Sequence, residues 1–280
     1  MNIIIKYNQD VISGTLFNLY ELGLFLESKG LNNIFWFEDN CKSIDISQRY
    51  TKSLKIWKVD KKISKEDYII HPGFDIFFDK RFDIVNRYFI LVSWNFQKTL
   101  PKALRLLSVD EFTKRLKKVS ILYNPMIGAD LVNRFDMIEY HHGFLKDFYD
   151  FSKNNENSEK WCTLLSSYNY ELANDMFYVS DKNAYDIINK KYRPDLLDDI
   201  KSFTPFFDYK GYLYIKKEDF FPKTPNEFLC LDKPVILCSI SDGIKRMYKL
   251  DKNSLWKDLR ELKVKRYYLE FDYDSFINRL

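Results

Sequence analysis

The sequence predicts an α/β protein with a parallel sheet covered by helices on both faces. Three observations predict it. Short runs of Ile, Val, Phe and Tyr alternate with stretches of helical periodicity. The opening reads as strand, polar loop with one Gly, then helix. The same alternation resumes after the most polar stretch of the chain, residues 152–160 (SKNNENSEK).

The elements follow in order. Ile3-Ile4-Ile5 is a buried-strand run, and the loop ending Ser13-Gly14-Thr15 leads into a helix. Its apolar positions Leu16, Leu19, Tyr20, Leu22 and Leu26 recur at helical spacing up to a stop at Lys29-Gly30. Residues 33–37 form a second strand, ending at Glu38-Asp39. Further strands are expected over 54–59, 68–70, 88–93, 119–123 and 137–140, with a helix over 109–117. Beyond the polar break, helices are expected over 161–172, 181–190 (capped by Ser180), 224–231 and 253–262. Strands are expected over 176–179, 212–215 and 233–238.

A length of 280 residues suits one large domain or two small ones. With 46% hydrophobic and 30% charged residues, the composition excludes collagen-like, disulfide-scaffold and wholly disordered chains. The 24 Phe and 20 Tyr accompany heavy use of Lys, Asn and Ile. That pattern fits AT-rich coding, as in a phage or large virus, better than an aromatic ligand platform. A net charge of +4 is too balanced to argue for nucleic acid. The short basic clusters at 114–118 and 263–266 read as solvated faces. Cys41, Cys162, Cys230 and Cys238 show no CxxC spacing and only three His accompany them, so free thiols are expected and no metal site. No signal peptide or membrane span is read, which predicts a cytoplasmic protein, in the host cytoplasm for a viral gene.

Three constellations carry candidate chemistry. Ser13-Gly14 follows the first strand and opens a helix, where unpaired N–H groups suit a phosphate; an ordinary N-cap uses the same residues. No GxGxxG or P-loop pattern is present. In the second, Lys223 can neutralise a diphosphate, Thr224 can cap a helix or donate to a phosphate oxygen, and Glu227 can accept from a ribose diol. A capping box, Thr224-x-x-Glu227, also fits. The third is Glu139-Tyr140-His141-His142-Gly143 at a strand end, where His142, or Glu139 in its place, can act as a base on an acceptor hydroxyl. His71 follows another strand and is a weaker candidate.

The segment PKTPNEFLCLDKPVI (222–236) resembles the donor site of GT-B glycosyltransferases, enzymes with two Rossmann-like domains. Residues 3–30 resemble their first strand, loop and helix. FDMIEYHHGF (135–144) and ELANDMFYVSDKNAYDIINKKY (171–192) resemble further parts, in the same order along the chain. Asp232 stands where the family has Gly, and the stretch between Tyr192 and Tyr212 is shorter than the family's.

The resemblance implies a GT-B-like fold of two lobes with parallel sheets, the second reduced. Residues 1–180 would be the acceptor lobe and 181–280 the donor lobe. It implies sugar transfer from a nucleotide-diphosphate donor to a hydroxyl, with no cofactor or metal beyond that co-substrate. Ser13, Gly14, Lys223, Thr224 and Glu227 would bind the donor, with Asp242-Gly243 near the sugar. Glycan or small-molecule acceptors rank above a modified DNA base, which charge does not support. The alternative is a catalytically degenerate module of the same fold that binds a nucleotide, glycan or protein partner.

Overall fold

The computed structural model describes residues 1–8, 13–39, 49–92, 94–123, 135–141, 161–164, 177–179, 195–197, 209–216, 227–228, 231, 233–241, 244–250, 256–257, 264–265 and 270–280. The chain divides into two units. The first comprises Met1–Ser47, Lys52–His142 and Leu269–Leu280; the second comprises Gln48–Thr51 and Gly143–Tyr268. This division falls at 142/143, and the polar stretch 152–160 lies within the second unit.

The first unit is organised by β1 (Ile3–Ile5), three isoleucines with almost no exposure. A β-branched run buried on both faces suits a central parallel strand. β1 pairs with β2 (Ile34–Phe37) on one side and β4 (Tyr68–His71) on the other, with Ile4 opposite Phe35 and Ile69. β3 (Lys55–Trp57) lies beyond β2; β5 (Arg87–Leu91), β6 (Val119–Tyr123) and β7 (Asp136–His141) extend beyond β4. All seven are parallel, in the order 3-2-1-4-5-6-7. A short strand, Glu270–Phe271, runs antiparallel to β7 at the edge. The α/β class and the parallel sheet expected from the sequence are therefore present here.

Helix α1 (Gly14–Ser28) starts at Ser13, whose hydroxyl accepts from the Leu16 N–H at 3.3 Å. It stops at Gly30, whose φ of 94° is left-handed and suits glycine. A Cβ at Gly23 would come within 2.6 Å of both Ile5 and Leu54, so glycine lets the helix approach β1 closely. Helix α2 (Trp94–Leu106) lay outside the expected elements because Pro101 sits in its middle. Proline lacks the N–H and usually ends a helix; here neighbouring packing overrides that preference. Helix α3 (Val109–Leu116) is capped by Ser108 and carries acids in its first turn and bases in its last, matching its dipole. Helix α4 (Tyr273–Ile277) buries Phe276, whose ring lies 4.4 Å from that of Phe89.

Aromatic side chains build much of this core. Phe74 packs on Phe77 at 5.5 Å, and Phe77 on Tyr88 at 5.2 Å, with Phe37, Trp57, Phe82 and Phe112 in the same cluster. Burial pushes the Tyr88 hydroxyl up to about 12.

In the second unit, β8 (Trp161–Leu164), β9 (Phe177–Val179), β10 (Asp195–Leu197), β11 (Gly211–Lys216), β12 (Val235–Ser241) and β13 (Ile244–Leu250) form a mixed sheet in the order 10-8-11-12-13-9. β14 (Trp256–Lys257) and β15 (Val264–Lys265) pair separately, antiparallel. Three expectations are corrected. The residues that open the helix expected over 161–172 form β8 instead, because they pair in parallel with β10 and β11; the buried Cys162 thiol lies 3.7 Å from the Gly211 carbonyl. The helix over 253–262 contains β14, because strand pairing overrides local periodicity there. The sheet is not wholly parallel: β12 and β13 are antiparallel, with Ser241 opposite Ile244. The two residues between them in sequence, Asp242-Gly243, lie outside the described residues.

The expected helix over 181–190 and the loop over 152–160 lie outside the described residues. Among the described residues no helix is long and apolar enough to cross a membrane.

Candidate functional site

In the first unit the strand order reverses direction between β1 and β4. Open α/β sheets bind ligands beyond the carboxyl ends of the strands at such a switch point. The side chains gathered there are polar and largely withdrawn from water. Lys6, just after β1, is buried and its Nζ donates to Asp39 Oδ1 at 2.8 Å. Asp39, just after β2, also meets Arg81 at 3.4 Å. Arg81 grips Asp79 with two bonds, Nε to Oδ1 at 2.9 Å and Nη2 to Oδ2 at 2.6 Å. Burial pushes the Asp79 carboxyl up, but the Arg81 bonds and charge outweigh it and hold the group below its usual value.

His71 ends β4 and is fully buried. Burial pushes its pKa down, against the opposing pull of Asp75 and the Gly73 carbonyl, so the imidazole is neutral at pH 7. Its Nδ1 lies 2.7 Å from the Gly73 oxygen and 3.1 Å from the Gly73 nitrogen. The shorter contact requires a proton on Nδ1, which donates to the carbonyl. Nε2 then presents a lone pair and has no partner among the described residues. Asp75 Oδ1 stands 3.6 Å from Nδ1, and Asp75 Oδ2 accepts from the Asn8 amide at 2.9 Å. Gly73 is glycine for space: a Cβ there would lie 2.5 Å from Thr99 Oγ1.

Ser13 stands at the same rim. Besides capping α1, its hydroxyl shares a 2.8 Å hydrogen bond with Tyr7. The N-cap reading of Ser13-Gly14 is therefore present, with Gly14 as the first helical residue. Glu139 lies on β7, separated from β1 by β4, β5 and β6. Four strand spacings amount to about 19 Å. The sheet does not bring Glu139 beside Ser13 and Gly14. His142 lies outside the described residues.

The donor-type segment belongs to the second unit. Lys223 and Thr224 lie outside the described residues. Glu227 and Phe228 are helical, and the Leu231 N–H donates back to the Glu227 carbonyl at 3.1 Å. This turn lies between β11 and β12, which pair in parallel with Leu213 opposite Ile236. The Phe228 ring stacks on Tyr212 at 5.1 Å. Glu227 is buried, and Arg49 holds it with two bonds, Nη1 to Oε1 at 3.1 Å and Nη2 to Oε2 at 3.2 Å. Such a pair is costly to break because either partner alone is a buried, uncompensated charge.

Lys6, Asp39, Asp75 and Arg49 were not singled out from the sequence. Lys6 directly after β1 and the acidic pair Glu38-Asp39 directly after β2 carried a usable signal, charge that follows an apolar strand run. Arg49 carried none, since its partner is 178 residues away. Among the described residues no group of three or more His, Cys, Asp or Glu is placed to hold a metal ion. No protein-family model, curated protein or solved structure matches the chain.

Proposed function

We propose that the protein is a glycosyltransferase of GT-B-like build, moving a sugar from a nucleotide-diphosphate donor to a hydroxyl of a glycan or small molecule. The observation that carries the reading is the parallel β11–β12 crossover, with Glu227 buried in its helical turn. It lies on the segment whose sequence resembles the donor site. The switch-point order of the first sheet adds support, since it suits a second ligand-binding edge.

In this reading Glu227 accepts from the ribose diol, and Lys223 and Thr224 meet the diphosphate. The acceptor oxygen bonds to the anomeric carbon as the bond to the diphosphate breaks. The diphosphate leaves with the electron pair, and His142 or Glu139 takes the acceptor's proton. Stabilising the departing charge is the largest catalytic contribution expected.

One observation favours the alternative, a non-catalytic module binding a nucleotide, glycan or protein. Arg49 engages both oxygens of Glu227, which leaves less of that carboxylate for a ribose.

Thermal unfolding with UDP, GDP, ADP, CDP and dTDP tests the reading. A ligand that binds the native state raises Tm. One nucleotide is expected to do so, with the rise lost in Lys223→Ala and Glu227→Gln, each compared with its own ligand-free Tm. No rise with any of the five refutes the donor site.

A further inference from the structure

Residues 52–65 hold six lysines, Lys52, Lys55, Lys58, Lys61, Lys62 and Lys65, against one acid, Asp60. That stretch is net +5 in a chain of net +4, so all the rest together is net −1. The six are exposed; Lys55 lies on β3, the edge strand of the parallel sheet, and the others lie in the segments that flank it in sequence. Nearby acids offset part of the field. Glu38 binds Lys58 at 3.0 Å, Glu27 feels Lys55 and Lys52, and Glu66 follows the stretch. The other contacts leave the charge in place. Lys55 Nζ donates to the Asn32 carbonyl at 2.9 Å, and Lys61 lies 3.9 Å from the Trp57 ring centre. The same stretch exposes two aliphatic side chains, Ile56 at 50% and Val59 at 48%.

The chemistry of the patch selects its partner. Its cations are all lysine, hydrated point charges suited to a diffuse negative surface rather than to forked recognition of single phosphates or bases. Its one aromatic, Trp57, is buried, so no ring is offered to stack a nucleobase. Exposed aliphatic side chains interleaved in sequence with lysines instead match the boundary of a bilayer, where apolar tips enter and ammonium groups stay among headgroups. Lysines on an edge strand also deter strand-to-strand pairing, but that role does not call for exposed Ile56 and Val59.

We propose that the β3 edge of the first unit docks on the surface of an anionic lipid bilayer, drawn by the lysines and seated by Ile56 and Val59. Each lysine near such a surface adds about fivefold to partitioning. Reversing three of them should lower it by about a hundredfold or more.

The test is co-sedimentation of the full chain with vesicles of phosphatidylcholine, alone or mixed with phosphatidylglycerol. Expected is binding to the mixed vesicles only, falling steeply as salt rises. It should be lost in Lys52→Glu/Lys62→Glu/Lys65→Glu, weakened in Ile56→Ser/Val59→Ser, and kept in Lys114→Glu/Lys117→Glu, another basic cluster. Absence of binding to the mixed vesicles overturns the proposal, as does binding indifferent to salt or equal loss in the Lys114/Lys117 variant. Preferential binding of duplex DNA at matched phosphate overturns it in favour of a polynucleotide. Should the triple variant melt below the wild type, the salt series and the Ile56/Val59 variant still decide.

Discussion

The two ends of the parallel sheet treat their polar groups differently. At the amino ends of the strands, Asp136 accepts from Arg279 (Nε and Nη2, both 2.8 Å), from Arg87 at 2.8 Å and from Ser120 at 2.6 Å. Asp67 accepts from Asn2 and Ser64, and Tyr68 donates to the Leu280 carbonyl. At the carboxyl ends, Lys6 is a buried cation and His71 a buried imidazole with an unanswered nitrogen. The amino ends spread each charge over several local donors and fasten residues 270–280. The carboxyl ends keep polar groups out of water with fewer partners, at a cost in stability. Folds concentrate such exceptions where ligands bind.

Four substitutions sharpen that contrast. Phe276→Ala strips the apolar anchor of the amino-end clamp and should cost about 3–5 kcal/mol in urea unfolding. An effect below about 1 kcal/mol would mean that the clamp is ornamental.

At the opposite end, Gly73→Ala should cost about 2 kcal/mol by overpacking against Thr99. Adding Thr99→Ala should restore part of that loss, and strict additivity in the double-mutant cycle would refute the clash.

Asp136→Asn should cost about 1 kcal/mol at pH 7. Burial pushes the Asp136 carboxyl up, but the bonds from Arg279 and Ser120 outweigh it and hold the group below its usual value. Its contribution is therefore complete above the unfolded value near 3.8 and fades as pH falls through the folded one. The variant should show a shallower acid limb in Tm against pH.

His71→Leu should change stability at pH 7 by less than about 1 kcal/mol, since it loses one hydrogen bond and removes a stranded nitrogen. Its signature is in pH. Below the unfolded value near 6.5, the unfolded imidazole takes a proton that the buried one resists, so wild-type stability declines as pH falls. The variant should lose that decline, and an unchanged slope between wild type and variant would sink the assignment.

Much of the first unit was legible because its signals are local. Three isoleucines, a Ser cap, a Gly stop and the aromatic and aliphatic runs of β4, β5 and β6 each specify their own element. Helix α2 was hidden by Pro101, whose local preference the packing overrules. The second unit was read less well. Residues 161–164 occupy a strand only because segments tens of residues away pair with them, and residues 256–257 because 264–265 do. The site divided in the same way. Ser13 and Glu227 stood out through cap and loop chemistry, whereas Arg49 and the Lys6–Asp39 pair exist only once the sheets have formed.

The edge strand Glu270–Phe271 and helix α4 have a consequence for how the protein is made. They complete the first unit, yet residues 143–268 leave the ribosome before them. At about 5–20 residues per second, β7 waits roughly 6–26 s for its neighbour. Throughout that interval the nascent sheet presents an open rim, with Phe89 not yet covered by Phe276. A chaperone that shields exposed strands should therefore raise the yield of soluble chain most when synthesis is slowed after residue 142.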